Sequence, residues 1–146
     1  MLTIENKRTE TSPSAEAKTV ETGTELYFPS GLLGFEMNKQ FELITDPELS
    51  PYQWLKGTDA DQSFLVIPPS YVVENYSIDL ADEDVALLGL ENPDDAMVLN
   101  IATYHVDETV TVNLKGPLVY NTATKAARQI VPRNAADLSL AHPMGN

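Results

Sequence analysis

The sequence predicts a mainly β fold in a single domain, on the strength of three observations. Short runs rich in β-branched and aromatic residues recur along the chain. Ten prolines, together with Gly, Asn and Asp, separate these runs at frequent intervals. The length of 146 residues suits one domain, and the 42% of hydrophobic residues is enough for a buried core.

The N-terminal residues 1–20 are expected to form a mobile arm. They contain many Thr and Ser residues, three basic and three acidic side chains, and too few apolar residues to bury a face. Because the charges of the arm balance, the excess of negative charge belongs to the remainder of the chain. We therefore expect the folded β domain to cover residues 21–146.

Eight strands are predicted, over residues 24–28, 41–45, 52–56, 63–67, 97–105, 110–114, 118–121 and 128–131. Alternation is clearest where Val110, Val112 and Leu114 share one face, and these side chains are expected in the core together with Trp54. The loop 106–108 is short enough to join its flanking strands in an antiparallel hairpin. The segment 115–117, which contains Gly and Pro, predicts a second reversal of the chain.

One short helix is predicted over residues 82–88. Asp82, Glu83 and Asp84 favour the positive end of the helix dipole, and Gly89 is placed to end the helix in a left-handed conformation. Asn92 followed by Pro93 predicts a further single helical turn. The three acids lack the spaced ligands and the glycine turn of a calcium loop, so no metal site is predicted.

The charge of the chain excludes several function classes. Nine basic against 22 acidic residues give a net charge of −13, so direct nucleic-acid binding is disfavoured. Twelve of the acids lie between Lys56 and Lys115, where there is no basic residue. The chain contains no cysteine and no apolar run long enough to span a bilayer. We expect a cytoplasmic protein that does not bind membranes, although the acids can also be read as an ordinary soluble surface.

The sequence contains little that points to catalysis. His105 and His142 lack the neighbouring groups of a catalytic triad. The Gly31-Leu-Leu-Gly34 loop lacks the Lys and Ser or Thr of a phosphate-binding loop. We therefore predict no catalytic, cofactor-binding or metal-binding residues. A hydrolase that uses two of the many carboxylates remains the competing enzymatic reading.

The segment from Phe28 to Glu36, FPSGLLGFE, resembles the F-P-x-G-L-P-G-F-E motif of the flagellar assembly factor FliW family. Further similar pieces follow in the order that the family shows: YQWL at 52–55, FLVIP at 64–68, LADED at 80–84, NPDD at 92–95, TVNL at 111–114 and HP at 142–143. Together they span about 120 residues. The sequence departs from the family pattern at Leu33, Ala81, Gly116, Leu138 and Ala141.

The resemblance implies a small antiparallel, barrel-like protein without enzymatic activity. It also implies two protein partners, flagellin and the RNA-binding translational repressor CsrA. Binding to CsrA would relieve the repression of flagellin messenger RNA. The alternative is a non-enzymatic interaction module of the same fold that serves a different protein partner.

Three groups of residues are predicted to contact partners. The first is the loop with Pro29, Gly31, Leu32, Leu33 and Phe35, although Phe28 and Phe35 also fit a place in the core. The second is an aromatic segment, and the third is the acidic start of the helix. These two groups comprise Tyr71, Val72, Val73, Tyr76, Asp82, Glu83 and Asp84.

Overall fold

A computed structural model describes residues 2–7, 23–58 and 62–144 of the chain. These ranges contain eleven strands and one α-helix. The strands are β1 (Leu2–Lys7), β2 (Thr24–Tyr27), β3 (Gln40–Thr45), β4 (Gln53–Gly57), β5 (Ser63–Ile67), β6 (Asn75–Leu80), β7 (Ala96–Tyr104), β8 (Val110–Val112), β9 (Leu118–Asn121), β10 (Ala127–Gln129) and β11 (His142–Pro143). The helix is α1 (Asp82–Leu88), and four single 3-10 turns comprise Pro47–Leu49, Pro69–Tyr71, Pro93–Asp95 and Ala135–Asp137.

Nine of the strands belong to one antiparallel sheet, and seven of them follow one another along a path that curls into a barrel-like shape. Their order is β10-β9-β7-β5-β4-β3-β2. The two outer strands meet where the Tyr27 N–H donates to the Lys125 carbonyl at 3.1 Å, beside a parallel bridge between Tyr27 and Ala126. This contact is a bridge and not a continuous ladder, so the barrel is incompletely closed. The predicted mainly β, barrel-like fold is confirmed.

The interior of this barrel is one of two hydrophobic cores. Every strand of the seven contributes at least one side chain to it: Leu26, Phe41, Leu43, Leu55, Val66, Leu99, Leu118, Tyr120 and Ala127. Phe28 and Leu32 from the following loop also pack there, and the rings of Phe28 and Phe41 meet edge to face at 5.3 Å. These two loop residues tie the start of the loop to the barrel.

The second core lies on the outer face of the same sheet. A two-stranded antiparallel ribbon of β1 and β6 and the helix α1 pack there, and they bury Ile4, Ile78, Leu80 and Leu88. Alternate residues of β7 and β9 pack into different cores. Val98 and Val119 face the outer core, whereas Leu99 and Leu118 face the barrel interior. One sheet thus supports two packed layers.

Several sequence predictions are confirmed within one or two residues at their ends. These include the helix at 82–88, all eight predicted strands, the hairpin of β7 with β8 and the turn that begins at Pro93. Gly89 has the expected left-handed conformation, with φ of 67°. Val112 and Leu114 are buried, as expected from their alternation, and Val110 packs against the same core.

The mobile-arm prediction does not hold at the start of the chain. Leu2–Lys7 forms β1, which pairs with β6 along six residues, and Ile4 is buried. The alternation of Leu2 and Ile4 with polar residues is too short to identify a strand before its pairing partner is known. The rest of the predicted arm, residues 8–20, lies outside the described residues.

The predicted reversal at 115–117 is wrong. β8 and β9 both run antiparallel to β7, so the chain between them continues in one direction. The pairing along this edge of β7 is interrupted between β8 and β9, next to the fully buried Asn100 of β7. The Asn100 Nδ2 donates to the Asn113 carbonyl at 3.0 Å, and Asn113 in turn accepts from the N–H groups of Lys115 and Gly116.

Two further predictions need correction. Trp54 is not a core residue, because it stands 38% exposed on the outer sheet face, paired with Ile44 and Leu65 on the neighbouring strands. The strand β6 was not predicted, although Tyr76, Ile78 and Leu80 alternate with polar residues and are buried. Its pattern overlaps the aromatic segment that was assigned to partner binding.

Candidate protein-interaction surface

The loop between β2 and β3 is shaped by two glycines with positive φ, 68° at Gly31 and 88° at Gly34. A Cβ atom at Gly31 would lie 2.5 Å from the Glu36 Cα, so only glycine fits where the loop folds back on itself. Leu32 points into the barrel, whereas Leu33 is 61% exposed. The turn therefore divides the two leucines between core and surface.

Phe35 has an intermediate position at the rim of the barrel. It is 39% exposed, and its ring meets that of Phe64 edge to face at 5.3 Å. Glu36 stabilises the tip, because its carboxylate accepts the Gly34 N–H at 3.1 Å. That backbone hydrogen bond is the main reason why the pKa of Glu36 is held below its usual range.

Strand β10 connects this loop to the helix. The Leu33 N–H donates to the Gln129 Oε1 at 2.9 Å, and the Arg128 Nη1 donates to the Ser30 Oγ at 3.1 Å. The Arg128 Nε also forms an ion pair with the Asp84 carboxylate at 2.9 Å. The loop, β10 and α1 consequently form one continuous surface.

The helix α1 carries acids at one end and a tertiary cap at the other. Asp82 and Glu83 are exposed in its first turn. The N-cap residue Ala81 makes no side-chain hydrogen bond to the helix. At the C-terminal end, the buried Asn121 Nδ2 donates to the carbonyls of Leu88 and Gly89 at 2.9 and 3.3 Å. Asn121 thereby anchors α1 to the barrel.

A small cleft of about 70 Å³ lies between α1, β10 and the start of the loop. Pro29, Leu87, Ala126 and the stem of Arg128 are among the residues that line it. Leu87 is 56% exposed, so its side chain forms an accessible apolar edge. We call this feature the α1–β10 cleft.

The aromatic segment belongs to a different part of the molecule. Tyr71 is exposed, whereas Val72 and Val73 pack partly against the outer core. Tyr76 is only 4% exposed, and its hydroxyl donates to the Leu114 carbonyl and accepts from the Asn100 Nδ2. Burial raises the pKa of the Tyr76 hydroxyl to about 12.

The structure thus brings two of the three predicted groups together and separates the third. The loop and Asp84 of the helix meet across Arg128, but Val72, Val73 and Tyr76 pack on the outer core. Gly31, Leu32 and Tyr76 are buried, which corrects the expectation that they face a partner. Asp84 is engaged by Arg128. Whether the remaining residues bind a partner stays a prediction.

Two residues of this surface were missed in the sequence. Leu87 is exposed because Val85 and Leu88 occupy the buried face of α1, and the helical periodicity carried that information. Arg128 lay inside a predicted strand, and its contacts join residues 44 and 98 positions away in the chain. No local pattern identifies such a connection.

The side chain of His105 and the backbone of His142 take part in contacts between strands. The His105 Nε2 lies 2.8 Å from the Thr111 Oγ1 across the β7–β8 hairpin, and His142 pairs with Val112 in the short strand β11. Among residues 2–7, 23–58 and 62–144, no group of three His, Asp or Glu side chains is arranged to hold a metal ion. No helix in the same ranges is long and apolar enough to cross a membrane.

The curled sheet and the two-sided core define a small β-rich protein whose accessible features are an apolar cleft, an exposed loop and an acidic helix. Such surfaces are typical of proteins that act through protein–protein contacts. The class is therefore that of a barrel-like interaction protein.

Comparisons with known proteins identify the family. A family model described as "FliW protein" matches residues 4–144. The flagellar assembly factor FliW of Leptospira interrogans serovar copenhageni is 35% identical over 112 residues, which is 75% of either chain. The protein of the same name from Natranaerobius thermophilus is 30% identical over 139 residues, 93% of this chain and 91% of its own.

A solved structure supports the same assignment. The crystal structure of a flagellar assembly factor FliW is similar with a TM-score of 0.72 and 27% sequence identity, covering 84% of this chain and 86% of that one. The chain belongs to the FliW family of flagellar assembly factors.

Proposed function

We propose that this protein binds flagellin and a CsrA-type RNA-binding repressor, and that it antagonises the repressor so that flagellin messenger RNA is translated. Membership of the FliW family supports a role in flagellar assembly. The observation that carries the proposed mechanism is the net charge of −13, with Asp82 and Glu83 exposed at the start of α1. The function is non-enzymatic and takes place in the cytoplasm, where the messenger is translated.

The physical reason lies in the chemistry of the repressor. A protein that binds RNA presents positive charge to phosphates, and an acidic partner is attracted to the same field. Once bound, the partner adds negative charge near the RNA-binding face and raises the electrostatic cost of bringing phosphates close. The complex of the two proteins is therefore expected to bind RNA more weakly than the repressor alone.

The direct test is a titration of a CsrA–RNA complex with this protein, followed by RNA fluorescence anisotropy at low and at physiological salt. The expected result is release of RNA, with weaker binding between the two proteins as ionic strength rises. A reversal variant, Asp82→Lys with Glu83→Lys, should release RNA less effectively. Asp84 is left unchanged because it holds Arg128.

A matched control separates location from net charge. Glu48 and Glu108 are exposed on the β3–β4 and β7–β8 turns, and their replacement by Lys changes the total charge by the same amount. This control should release RNA better than the α1 variant does. Equal release by the two variants would show that the acids of α1 have no special role.

The alternative function is an interaction module with another protein partner. A purified protein that binds neither CsrA nor flagellin at low salt would exclude the proposed function and favour this alternative. A separate measurement with flagellin is needed because the two partners are proposed independently.

A further inference from the structure

The seam at which the barrel closes leaves part of one strand edge open. β2 pairs with β3 on one side, and on its other side the Tyr27 N–H donates to the Lys125 carbonyl in the turn between β9 and β10. Within residues 2–7, 23–58 and 62–144, no other strand pairs with this second side of β2. An open strand edge is a surface to which a further strand can add.

The hydrogen bonds of β2 show which backbone groups face this edge. The Phe28 N–H donates to the Lys39 carbonyl at 2.7 Å, which places the backbone groups of Phe28 on the β3 side. Successive residues of a strand direct these groups to opposite sides, so Tyr27 and Glu25 direct theirs away from β3. The contact of Tyr27 across the seam agrees with this direction. The N–H and C=O of Glu25 therefore face the open edge.

A row of charged side chains on the outer face of the sheet ends at the same edge. Glu25 lies opposite Glu42 of β3, and Glu42 lies opposite Lys56 of β4. Glu25 is exposed, and no residue in the described parts of the chain forms an ion pair with it. Two carboxylates directly opposite each other repel, whereas a cation on the free side of Glu25 is attracted. The position next to Glu25 consequently favours a basic side chain.

A surface cavity gives such a side chain room. It has a volume of about 380 Å³, and its lining includes Glu25, Tyr27, Gln40 and Lys125. This volume lies within the range of roughly 300–1,000 Å³ that is usual for small-molecule pockets, so a long side chain fits. The Lys125 Nζ donates to the Thr122 carbonyl, which turns this ammonium group towards its own loop.

The inner face of the same edge is apolar. Leu26, which alternates with Glu25 along β2, is 2% exposed and packs in the barrel interior. In an added strand, the residues on either side of the basic one point towards this interior and are expected to be apolar. A second copy of the chain fits poorly, because each copy has a net charge of −13 and brings its own Glu25 to the seam.

We infer that the open edge of β2 binds an extended segment of a partner protein in which a basic residue lies between two apolar residues. The segment adds to the sheet as a strand and forms hydrogen bonds with the backbone of Glu25. Its basic side chain pairs with the Glu25 carboxylate. This inference goes beyond the proposed function, since it describes the chemistry of the segment and holds whichever protein supplies it.

The probe is a synthetic peptide, acetyl-TVKVT-amide, titrated into the isotope-labelled full chain and followed by two-dimensional amide NMR. We expect a saturable shift of the Glu25 amide signal and slower hydrogen exchange of this amide, because its N–H gains an acceptor. The peptide acetyl-TVEVT-amide, which carries the opposite charge, should bind about fivefold more weakly or worse.

Charge reversal at the edge tests the pairing directly. Glu25→Lys should reverse the preference, so that this variant binds the acidic peptide more tightly than the basic one. The matched control is Glu48→Lys, which changes the net charge equally at an exposed position in the turn between β3 and β4. This control should bind the basic peptide within about twofold of the unchanged protein. Circular dichroism establishes that both variants are folded.

Slower exchange at Glu25 together with the reversed preference of Glu25→Lys supports the inference. Absence of binding, or binding that leaves the exchange of the Glu25 amide unchanged, overturns strand addition at this edge. An unreversed preference in Glu25→Lys, or an equal loss in Glu48→Lys, overturns the pairing with Glu25. Shifts of the Glu25 signal that depend on protein concentration without peptide would show that a second copy occupies the edge, which also overturns the inference.

Discussion

Replacement of the two positive-φ glycines in the β2–β3 loop separates backbone strain from steric contact. Gly31→Ala and Gly34→Ala both place a methyl group on a residue in the left-handed region. At Gly34 nothing lies within 4 Å of the new Cβ. At Gly31 the new atom would lie 2.5 Å from the Glu36 Cα and 2.6 Å from its carbonyl oxygen. The two variants therefore form a matched pair.

The expected magnitudes follow from these surroundings. An L-residue in the left-handed region costs roughly 1–2 kcal/mol, and the reduced freedom of the unfolded chain offsets about 0.4–1 kcal/mol of this. Gly34→Ala should therefore lower the free energy of unfolding by about 1 kcal/mol. Gly31→Ala adds a contact with backbone that can only shift together with the buried Leu32, which costs a further 1–3 kcal/mol or so.

The measurement is equilibrium unfolding in urea, followed by the fluorescence of Trp54 and by far-ultraviolet circular dichroism. We expect Gly31→Ala to be less stable than Gly34→Ala by at least about 1 kcal/mol. A difference below roughly 0.5 kcal/mol, the usual size of a change without a structural cause, would refute the steric argument. A larger loss at Gly34 than at Gly31 would also contradict it.

Three further predictions concern the helix and the buried polar groups. Ala81→Ser supplies the side-chain acceptor that the N-cap of α1 lacks, and it should raise the free energy of unfolding by about 0.5–2 kcal/mol. Urea titrations measure this change, and an unchanged free energy of unfolding would exclude the capping role. Asn121→Ala removes the side chain that donates to the Leu88 carbonyl and accepts from two N–H groups of the following turn. The free energy of unfolding should fall by about 2–4 kcal/mol. Asn121→Asp is the control, because it keeps the acceptor and removes the donor. Because the folded pKa of Tyr76 is raised to about 12, stability is fully present below pH 10 and should fall by roughly 2–3 kcal/mol towards pH 12. Tyr76→Phe should make this decline shallower, and an unchanged pH slope would contradict the assignment.

The sequence was informative wherever a short segment contained its own signal. The acids before Val85 and the glycine after Leu88 predicted α1 at its observed ends. Alternation predicted the hairpin of β7 with β8, because its loop and both strands are adjacent in the chain. The ordered motifs from Phe28 onward identified the family, and the comparisons confirm it.

The sequence was misleading where long-range pairing decides the structure. The strand β1 exists through its partner β6, about 70 residues away, and the segment 113–117 continues along β7 because Asn100 binds it there. Trp54 is partly exposed because neither core covers the sheet at that point. None of these outcomes depends on the residues next to the position concerned.

By itself the sequence determined the acidic charge, the family and most local elements, since helix ends, turns and alternation depend on neighbouring residues. The tertiary structure decided which side chains of each segment face a core and which remain accessible. It placed Leu32 inside and Leu33 outside, and it joined the loop to the acidic helix through Arg128. The physical reason is that a surface is formed by elements distant in the chain, so its composition follows from packing and not from any single segment.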